Sequence, residues 1–260
     1  MEAAKVSHEL GMSDASRKGA GTDHDVLVLL HGGGGSQHDM RQLGRRIVPG
    51  MKCYAFNLLG HGGRPVPSGC SMDEMADDLA NNIRRAGFDR PFILGHCWGS
   101  LATLNMLTRY PGIVSGVVLT GLRFRFDARA IAQARFLASE DRVRKEGKPF
   151  AMICEKIHGP NWQEVRKYND RMAAGFADNP PVDKALIPQI DSPVLLMAAT
   201  EDSVAPVSQS MQLSRMIPGA KLVVFEGNGH PLSAAPLDLI ASKTLGFCEE
   251  VRSRKLASAT

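Results

Sequence analysis

Cys97 stands at the centre of the pentapeptide Gly95-His96-Cys97-Trp98-Gly99, between an apolar run and a helical pattern. A sharp strand-to-helix turn strains the backbone of its central residue, so small residues are needed two positions before and after it. The N–H groups and the dipole of the following helix favour the thiolate form of a cysteine at this point. The pattern therefore predicts a nucleophilic cysteine. The alternative is a buried structural cysteine in an ordinary glycine-rich turn.

A second glycine-rich segment, HGGGG at residues 31–35, follows the first strong apolar run. Glycines let backbone N–H groups turn toward one point, where they can stabilise a developing oxyanion together with the N–H of Trp98. The alternatives are a phosphate-binding loop and a merely flexible loop. A phosphate-binding loop is disfavoured because neither a Lys-Ser/Thr pair nor a G-x-G-x-x-G pattern follows.

An acid and a histidine follow two further apolar runs. Asp202 comes shortly after residues 194–199, and His230 comes shortly after residues 222–225. Because parallel strands of one sheet end at the same edge, we expect both side chains to lie near Cys97. A lone histidine after a glycine-rich turn is more often a surface residue. Here the Cys97 turn, the HGGGG segment, Asp202 and His230 all follow predicted strands. Together these four features predict a triad of Cys97, His230 and Asp202.

Six short apolar runs alternate with helical patterns, and their length and continuity predict buried parallel strands. They cover residues 26–30, 53–58, 91–94, 114–120, 194–199 and 222–225. Helices are predicted over residues 73–86, with a capping box from Ser71 to Glu74, and over residues 100–110 and 207–217. This alternation predicts an α/β fold with a doubly wound, mostly parallel sheet. Residues 1–24 are polar and glycine-rich, which fits either an edge hairpin or a loose arm.

The alternation is interrupted once, where residues 123–187 favour helices. One helix is predicted over residues 128–146 and another over residues 161–176, which begins at a capping box formed by Asn161 and Glu164. An insertion of this size after a central strand indicates a helical cap above the carboxyl ends of the strands. The predicted division is an α/β core of residues 1–122 and 188–260 and a cap of residues 123–187.

The motifs HGGGG, LLGHGGRP, GHCWGS, ATEDSVAP and GNGHP resemble those of the α/β-hydrolase family over residues 25–247. Nucleophile, acid and histidine in this chain order is also the order of that family. The resemblance implies an α/β-hydrolase fold with a helical cap inserted after the sixth strand. It assigns Cys97 as the nucleophile, His230 as the general base and acid, and Asp202 as the group that orients His230. Glu201 is a weaker candidate acid.

The resemblance further implies an oxyanion hole formed by the backbone N–H groups of Gly33 and Trp98. His61 matches a motif position that usually braces loops. The predicted substrate contacts are His31, Gly34, His96, Phe124 and Trp162. No metal or other cofactor is implied, because the chemistry needs only protein groups.

The nucleophile departs from the family pattern, since most members have serine where this chain has Cys97. A Cys–His pair can carry thiolate character and would form a thioester acyl-enzyme. Thioesters react comparatively well with amines, thiols and carbon nucleophiles, so Cys97 indicates acyl transfer, cyclisation or a thioester substrate. An aspartate here would have implied epoxide hydrolase or haloalkane dehalogenase chemistry. The alternative is a Ser-to-Cys replacement that slows or silences the enzyme.

The favoured function is an acyl hydrolase or acyltransferase. It would be a thioesterase or cyclase that releases a polyketide- or fatty-acyl-like thioester by hydrolysis or by lactone formation. The alternative enzymes are a carboxylesterase or lactonase and a hydrolase of activated carbon–carbon bonds. From another class, the alternative is a catalytically slow hydrolase-fold protein that binds a small ligand. A burst without turnover would favour that binding protein.

Basic side chains of the predicted cap fit either a solvated helix face or a rim that docks an acyl carrier protein or coenzyme A. They are Arg123, Arg125, Arg129, Arg135, Arg142, Arg144 and Lys145.

The composition of the 260 residues is that of a globular protein, with 43% apolar residues and a net charge of +4. This excludes disordered and fibrous classes, and the charge is far below that of a dedicated nucleic-acid binder. No apolar run approaches the roughly 20 residues that cross a bilayer. The N-terminal residues are acidic early and lack an apolar core, so we do not expect them to form a secretory signal. The five cysteines are scattered without metal-ligand spacing. We therefore expect a cytoplasmic protein without nucleic-acid or membrane partners.

Overall fold

The computed structural model describes residues 7–9 and 26–259. Seven described strands form one sheet in the order β1-β3-β2-β4-β5-β6-β7, and only the edge pair of β1 with β3 is antiparallel. The mostly parallel α/β fold is therefore confirmed. The strands are β1 (Ser7–Glu9), β2 (Val26–Leu30), β3 (Lys52–Phe56), β4 (Phe92–His96), β5 (Gly116–Thr120), β6 (Val194–Ala199) and β7 (Lys221–Phe225).

An edge strand at β1 falls within the polar stretch of residues 1–24, and the rest of that stretch lies outside the described residues. The helices are α1 (Arg41–Ile47), α2 (Met72–Arg85), α3 (Trp98–Arg109), α4 (Ala128–Ala138), α5 (Glu140–Glu146), α6 (Lys148–His158), α7 (Trp162–Gly175), α8 (Val207–Met216) and α9 (Leu237–Ala259). The predicted capping box of α2 is confirmed, because the Ser71 hydroxyl accepts the N–H of Glu74 and the Glu74 carboxylate accepts the N–H of Ser71.

Helices cover both faces of the sheet, and the alternation of side chains along β2 shows how. Val28 and Leu30 join the core beneath α2, α3 and α8, whereas Leu27 and Leu29 join the core beneath α1 and α9. All five residues of β2 are buried, as expected for a strand with apolar layers on both sides. Among the described helices, none is long and apolar enough to cross a bilayer.

Helices α4 to α7 fill the interval between β5 and β6. The insertion therefore follows β5, the fifth strand within the described residues. The single helix predicted over residues 128–146 is two helices, because Ser139 adopts extended backbone angles and its side chain caps α5. The capping box predicted at Asn161 is absent, since its backbone is not extended and its side chain caps nothing. The division into core and cap units stays a prediction.

Candidate active site

Cys97 occupies a strained turn between β4 and α3. Its backbone has φ 53° and ψ −113°, and its N–H donates to the carbonyl of Thr120 over 3.0 Å. A non-glycine residue with positive φ is uncommon and requires support from its surroundings. The turn lies at the carboxyl end of a central strand, so the Cys97 side chain faces the cavity above the sheet.

The two glycines that flank the turn are required by space. A Cβ atom on Gly95 would lie 2.5 Å from the backbone nitrogen of Ser100, and one on Gly99 would lie 2.6 Å from the carbonyl oxygen of Leu30. Ser100 fastens the same turn to β5, because its hydroxyl lies 2.8 Å from the carbonyl oxygen of Thr120 and accepts the Thr120 N–H. The glycine spacing therefore reflects close backbone packing around Cys97.

His230 and Asp202 meet at the ends of β7 and β6. The Nδ1 atom of His230 lies 2.8 Å from Oδ2 and 3.0 Å from Oδ1 of Asp202. Asp202 is nearly buried, and its Oδ1 also accepts the N–H groups of Val204 and Ala205. The neighbouring Glu201 is exposed. The carboxylate that orients His230 is thus Asp202, held in place by its own turn.

Charge interactions set the protonation of this pair. Burial alone would lower the pKa of His230, but the Cys97 sulfur and the Asp202 carboxylate raise it to about 10. The pKa of Asp202 is lowered: burial acts against ionisation, and the hydrogen bonds from His230, Ala205 and Val204 outweigh it. The Nε2 atom of His230 is buried and has no hydrogen-bond partner among the described residues. This nitrogen is therefore available to exchange a proton with a reacting group.

The two predicted oxyanion donors lie together beside Cys97. Gly33 packs so closely on the indole of Trp98 that a Cβ atom there would lie 2.7 Å from the ring. Neither backbone N–H donates a hydrogen bond to another described residue. Gly33 and Trp98 both line the cavity that holds Cys97. The arrangement can receive an oxygen that develops negative charge, provided that the oxygen lies within reach of both N–H groups.

Two buried histidines, His31 and His61, support these loops. His31 lies in the interior: its Nδ1 donates to the carbonyl of Gly32 and its Nε2 accepts the N–H of Leu58. It does not line the cavity, so a structural role replaces its predicted contact with substrate. His61 braces the glycine loop, because its Nε2 accepts the N–H of Gly34.

His96 does line the cavity, and its Nδ1 lies 3.0 Å from the hydroxyl of Thr120.

His158 makes a contact that the sequence patterns did not indicate. It ends α6, a helix that was not predicted, and its Nδ1 accepts the N–H of Gly62 over 3.2 Å. Its Nε2 donates to the carbonyl of Gly34 over 3.0 Å. One imidazole therefore joins the inserted helices to the loop that carries Gly33. Burial lowers the pKa of His158, consistent with the neutral ring that this pair of bonds requires.

A cavity of about 790 Å³ opens over Cys97 and His230. Its far wall is contributed largely by α4 and the segment before it, with apolar side chains at Phe126, Ala134 and Leu137. Gly34 lines it as predicted. Phe124 and Trp162 do not: Phe124 is buried in the core, and Trp162 lies at the start of α7. Phe126, two residues from the predicted position, takes the place expected of Phe124.

Polar groups also enter this cavity. Asn169 of α7 lines it, and the Oδ1 atom of this buried side chain has no partner among the described residues. Arg123, predicted on a basic rim, lines the cavity instead. Arg142 also lines the cavity, but it is paired to Glu146. Arg135, another member of the predicted rim, is exposed and paired to Asp170. In the described part of the chain, no three His, Cys, Asp or Glu side chains are grouped to hold a metal ion.

Fold and site together define a hydrolase of the α/β type. A profile of the Alpha/beta hydrolase family matches residues 27–243, which is most of the chain. The chain belongs to this family.

Three similar proteins illustrate the relationship. The pimeloyl-[acyl-carrier protein] methyl ester esterase of Neisseria meningitidis serogroup C is 28% identical over 246 residues, covering 86% of this chain and 94% of the relative. A thermophilic esterase from Thermogutta terrifontis superposes with a TM-score of 0.67 at 22% identity, covering 87% of this chain and 90% of that one. MGS-M2, an α/β hydrolase from a Medee basin deep-sea metagenome library, gives a TM-score of 0.72 at 15% identity, covering 93% and 92%. At these identities, the two solved structures show the fold alone.

Proposed function

We propose that this protein hydrolyses carboxylic esters through an acyl-enzyme formed on Cys97. The observation that carries the proposal is the His230 ring, which is anchored to Asp202 through Nδ1 and leaves Nε2 unpartnered beside Cys97. An anchored imidazole next to a nucleophile is the geometry of a general base and acid. The relative from Neisseria meningitidis, named as a methyl ester esterase, supports the same class of substrate.

The first half of the reaction forms the acyl-enzyme. The Cys97 thiolate adds to the ester carbonyl carbon, and the carbonyl oxygen takes the negative charge near the N–H groups of Gly33 and Trp98. As the carbonyl re-forms, the bond to the alkoxy oxygen breaks. The imidazolium of His230 gives its Nε2 proton to that oxygen, so the alcohol leaves neutral.

The second half returns the enzyme to its starting state. A water molecule adds to the thioester carbonyl and gives a proton to Nε2 of His230. The C–S bond then breaks, releasing the acid and restoring the thiolate–imidazolium pair. Asp202 stays ionised throughout, because it receives hydrogen bonds from Val204 and Ala205 as well as from His230.

A thioester substrate is the second candidate. It is favoured by the cysteine itself, since attack of Cys97 on a thioester exchanges one sulfur for another with little change in bond energy. The relative named for an acyl-carrier-protein ester supports a carrier-linked substrate, and the partnership with an acyl carrier protein or coenzyme A stays a prediction. The polyketide- or fatty-acyl-like acyl group, lactone formation and the C–C hydrolase alternative stay predictions.

Intact-protein mass spectrometry after brief mixing with acyl esters and acyl thioesters tests the proposal. We expect a transient acyl mass on the unmodified protein, its absence in Cys97→Ala, and a long-lived adduct in His230→Ala. Cys70→Ala is the matched control, because Cys70 is also partly exposed but lies outside the cavity. Absence of any adduct and of turnover from the folded protein would favour the ligand-binding alternative. The preferred donor separates the ester from the thioester candidate.

A further inference from the structure

Arg123 places a cation inside the cavity that holds Cys97 and His230. It lies three residues beyond the end of β5, just after Gly121, whose φ of 55° turns the chain over the site. A Cβ atom on Gly121 would lie 3.2 Å from Cε1 of His230, so this segment runs close to the catalytic ring. Arg123 is therefore one of the residues that surround Cys97 and His230.

The Arg123 guanidinium has unused hydrogen-bonding capacity. Its Nε atom is buried without a hydrogen-bond partner, and the side chain forms no ion pair with another described residue. Arg123 is partly buried. Arginine stays charged in proteins, and withdrawing part of a guanidinium from water without a partner is costly. Burial accordingly lowers the pKa of Arg123.

The two carboxylates whose charges act on Arg123 are engaged elsewhere. Asp127 accepts the N–H of Ala130 at the start of α4, and Asp202 holds His230. Other arginines near the cavity differ from Arg123: Arg142 pairs with Glu146, and Arg166 donates to main-chain carbonyls. Arg123 alone among these three presents a planar, unpaired fork of donors to the cavity. That fork matches the geometry of a carboxylate.

Resting on the proposed ester hydrolysis, we propose that Arg123 forms an anion subsite and that the substrate is an ester carrying a free carboxylate, such as a half-ester of a dicarboxylic acid. The guanidinium holds the carboxylate while the ester carbonyl lies at Cys97, so one rigid contact fixes the orientation of the acyl chain. The bound carboxylate then compensates the positive charge of the Arg123 guanidinium. An electrostatic contact made in a partly buried site contributes more than the same contact in bulk water.

Kinetics with paired substrates test the subsite. The substrates are monomethyl succinate, glutarate and adipate, each compared with the neutral methyl ester of the same chain length. For the best half-ester, we expect Arg123→Met to lower kcat/KM by roughly 10- to 100-fold, the effect of losing one charge-assisted hydrogen bond. The neutral ester should change by less than about 3-fold, and Arg123→Lys should retain part of the preference. Arg129→Met is the matched control, because Arg129 is exposed and does not line the cavity.

Two kinetic outcomes would overturn the inference. Equal losses on both substrates in Arg123→Met would show that Arg123 acts on the catalytic pair through charge. An absence of preference for half-esters in the unmodified protein, with neutral esters turned over, would remove the subsite while leaving ester hydrolysis intact.

A binding measurement separates the inference from the proposed function. Calorimetry of glutarate with the Cys97→Ala protein should show salt-sensitive binding that disappears in Cys97→Ala/Arg123→Met. Such binding supports the subsite even if no ester is hydrolysed. Equal glutarate binding by both proteins would contradict it, and melting temperatures of the variants establish that they are folded.

Discussion

The imidazole rings of His96 and His230 lie 5.2 Å apart between centroids, and their pKa values are shifted in opposite directions. Burial and the nearby charge of His230 lower the pKa of His96 to about 3. For His230, the effects of Cys97 and Asp202 outweigh burial and raise the pKa to about 10. Two adjacent imidazolium ions would repel each other. His96 is therefore neutral beside a protonated His230. This places the proton on His230, the residue that donates it in the proposed reaction.

Stability should peak near the ordinary pKa of histidine. Burial lowers the pKa of His61 to about 4 and that of His96 to about 3. Below about pH 6.5 these two histidines bind protons in the unfolded chain but stay neutral in the folded protein. The free energy of unfolding therefore falls by about 1.4 kcal/mol per pH unit for each histidine. His230 has the opposite sign: its stabilisation is complete below about pH 6.5 and is lost as the pH rises toward 10.

Urea denaturation across this range measures the effect. The variant His61→Asn should flatten the acid side of the profile, and His230→Gln should flatten the alkaline side. A free energy of unfolding that stays constant from about pH 5 to about pH 9 would contradict both assignments.

Replacing the sulfur should lower the pKa of His230. In Cys97→Ser a neutral hydroxyl takes the place of the sulfur whose charge raises that pKa, whereas the hydrogen bond to Asp202 remains. The His230 pKa should therefore move down toward its ordinary range, as followed by NMR of the imidazole protons. Cys70→Ser is the control, since Cys70 bonds to the carbonyl of Tyr168 away from the cavity. An unchanged His230 pKa in Cys97→Ser would remove the proposed thiolate–imidazolium coupling.

The turn at Cys97 should not accept a methyl group at Gly95. The added Cβ in Gly95→Ala would lie 2.5 Å from the backbone nitrogen of Ser100. We expect a loss of about 3 kcal/mol or more in the free energy of unfolding, since backbone atoms cannot move aside cheaply. The matched variant Gly246→Ala lies within α9 with no atom near the added Cβ, and should gain about 0.5–1 kcal/mol. Equal stability of the two variants would contradict this packing.

The imidazole of His158 should matter for both stability and rate. The variant His158→Phe fills similar space but leaves the N–H of Gly62 and the carbonyl of Gly34 without their partner. We expect a loss of about 1–3 kcal/mol in stability, and a lower kcat because Gly34 adjoins Gly33. Lys156→Ala, an exposed change on the same helix, is the control. Unfolding curves and steady-state kinetics that match those of Lys156→Ala would show that the bridge is dispensable.

Sequence patterns predicted the strands and the turns that follow them, because both depend on residues that are close together in the chain. Each of the six predicted apolar runs overlaps an observed parallel strand, and the Ser71 capping box begins α2 as expected. The residues at Cys97, Asp202 and His230 follow strand ends, so a parallel sheet brings them to one edge. The meeting of His230 with Asp202 is therefore a consequence of topology, read from chain order.

The inserted helices were harder to predict because their contacts depend on packing between distant segments. Nothing local to Ser139 distinguishes a helix break from a helix interior, although serine readily caps a new helix. His158 and Arg123 carry no motif, and their partners or lack of partners appear only in three dimensions. For the same reason, sequence reasoning placed Phe124 in the pocket when Phe126 occupies it.

The pairing of β5 with β6 means that the inserted helices leave and rejoin the sheet at neighbouring strands, with Thr120 opposite Met197. Closing a loop between such adjacent ends costs free energy that grows only with the logarithm of its length. Evolution, or an engineer, can thus lengthen, shorten or exchange this segment while the strands keep their register. A different inserted segment would line the cavity with other side chains while Cys97 and His230 stay in place. Substrate specificity can therefore change faster than the catalytic residues.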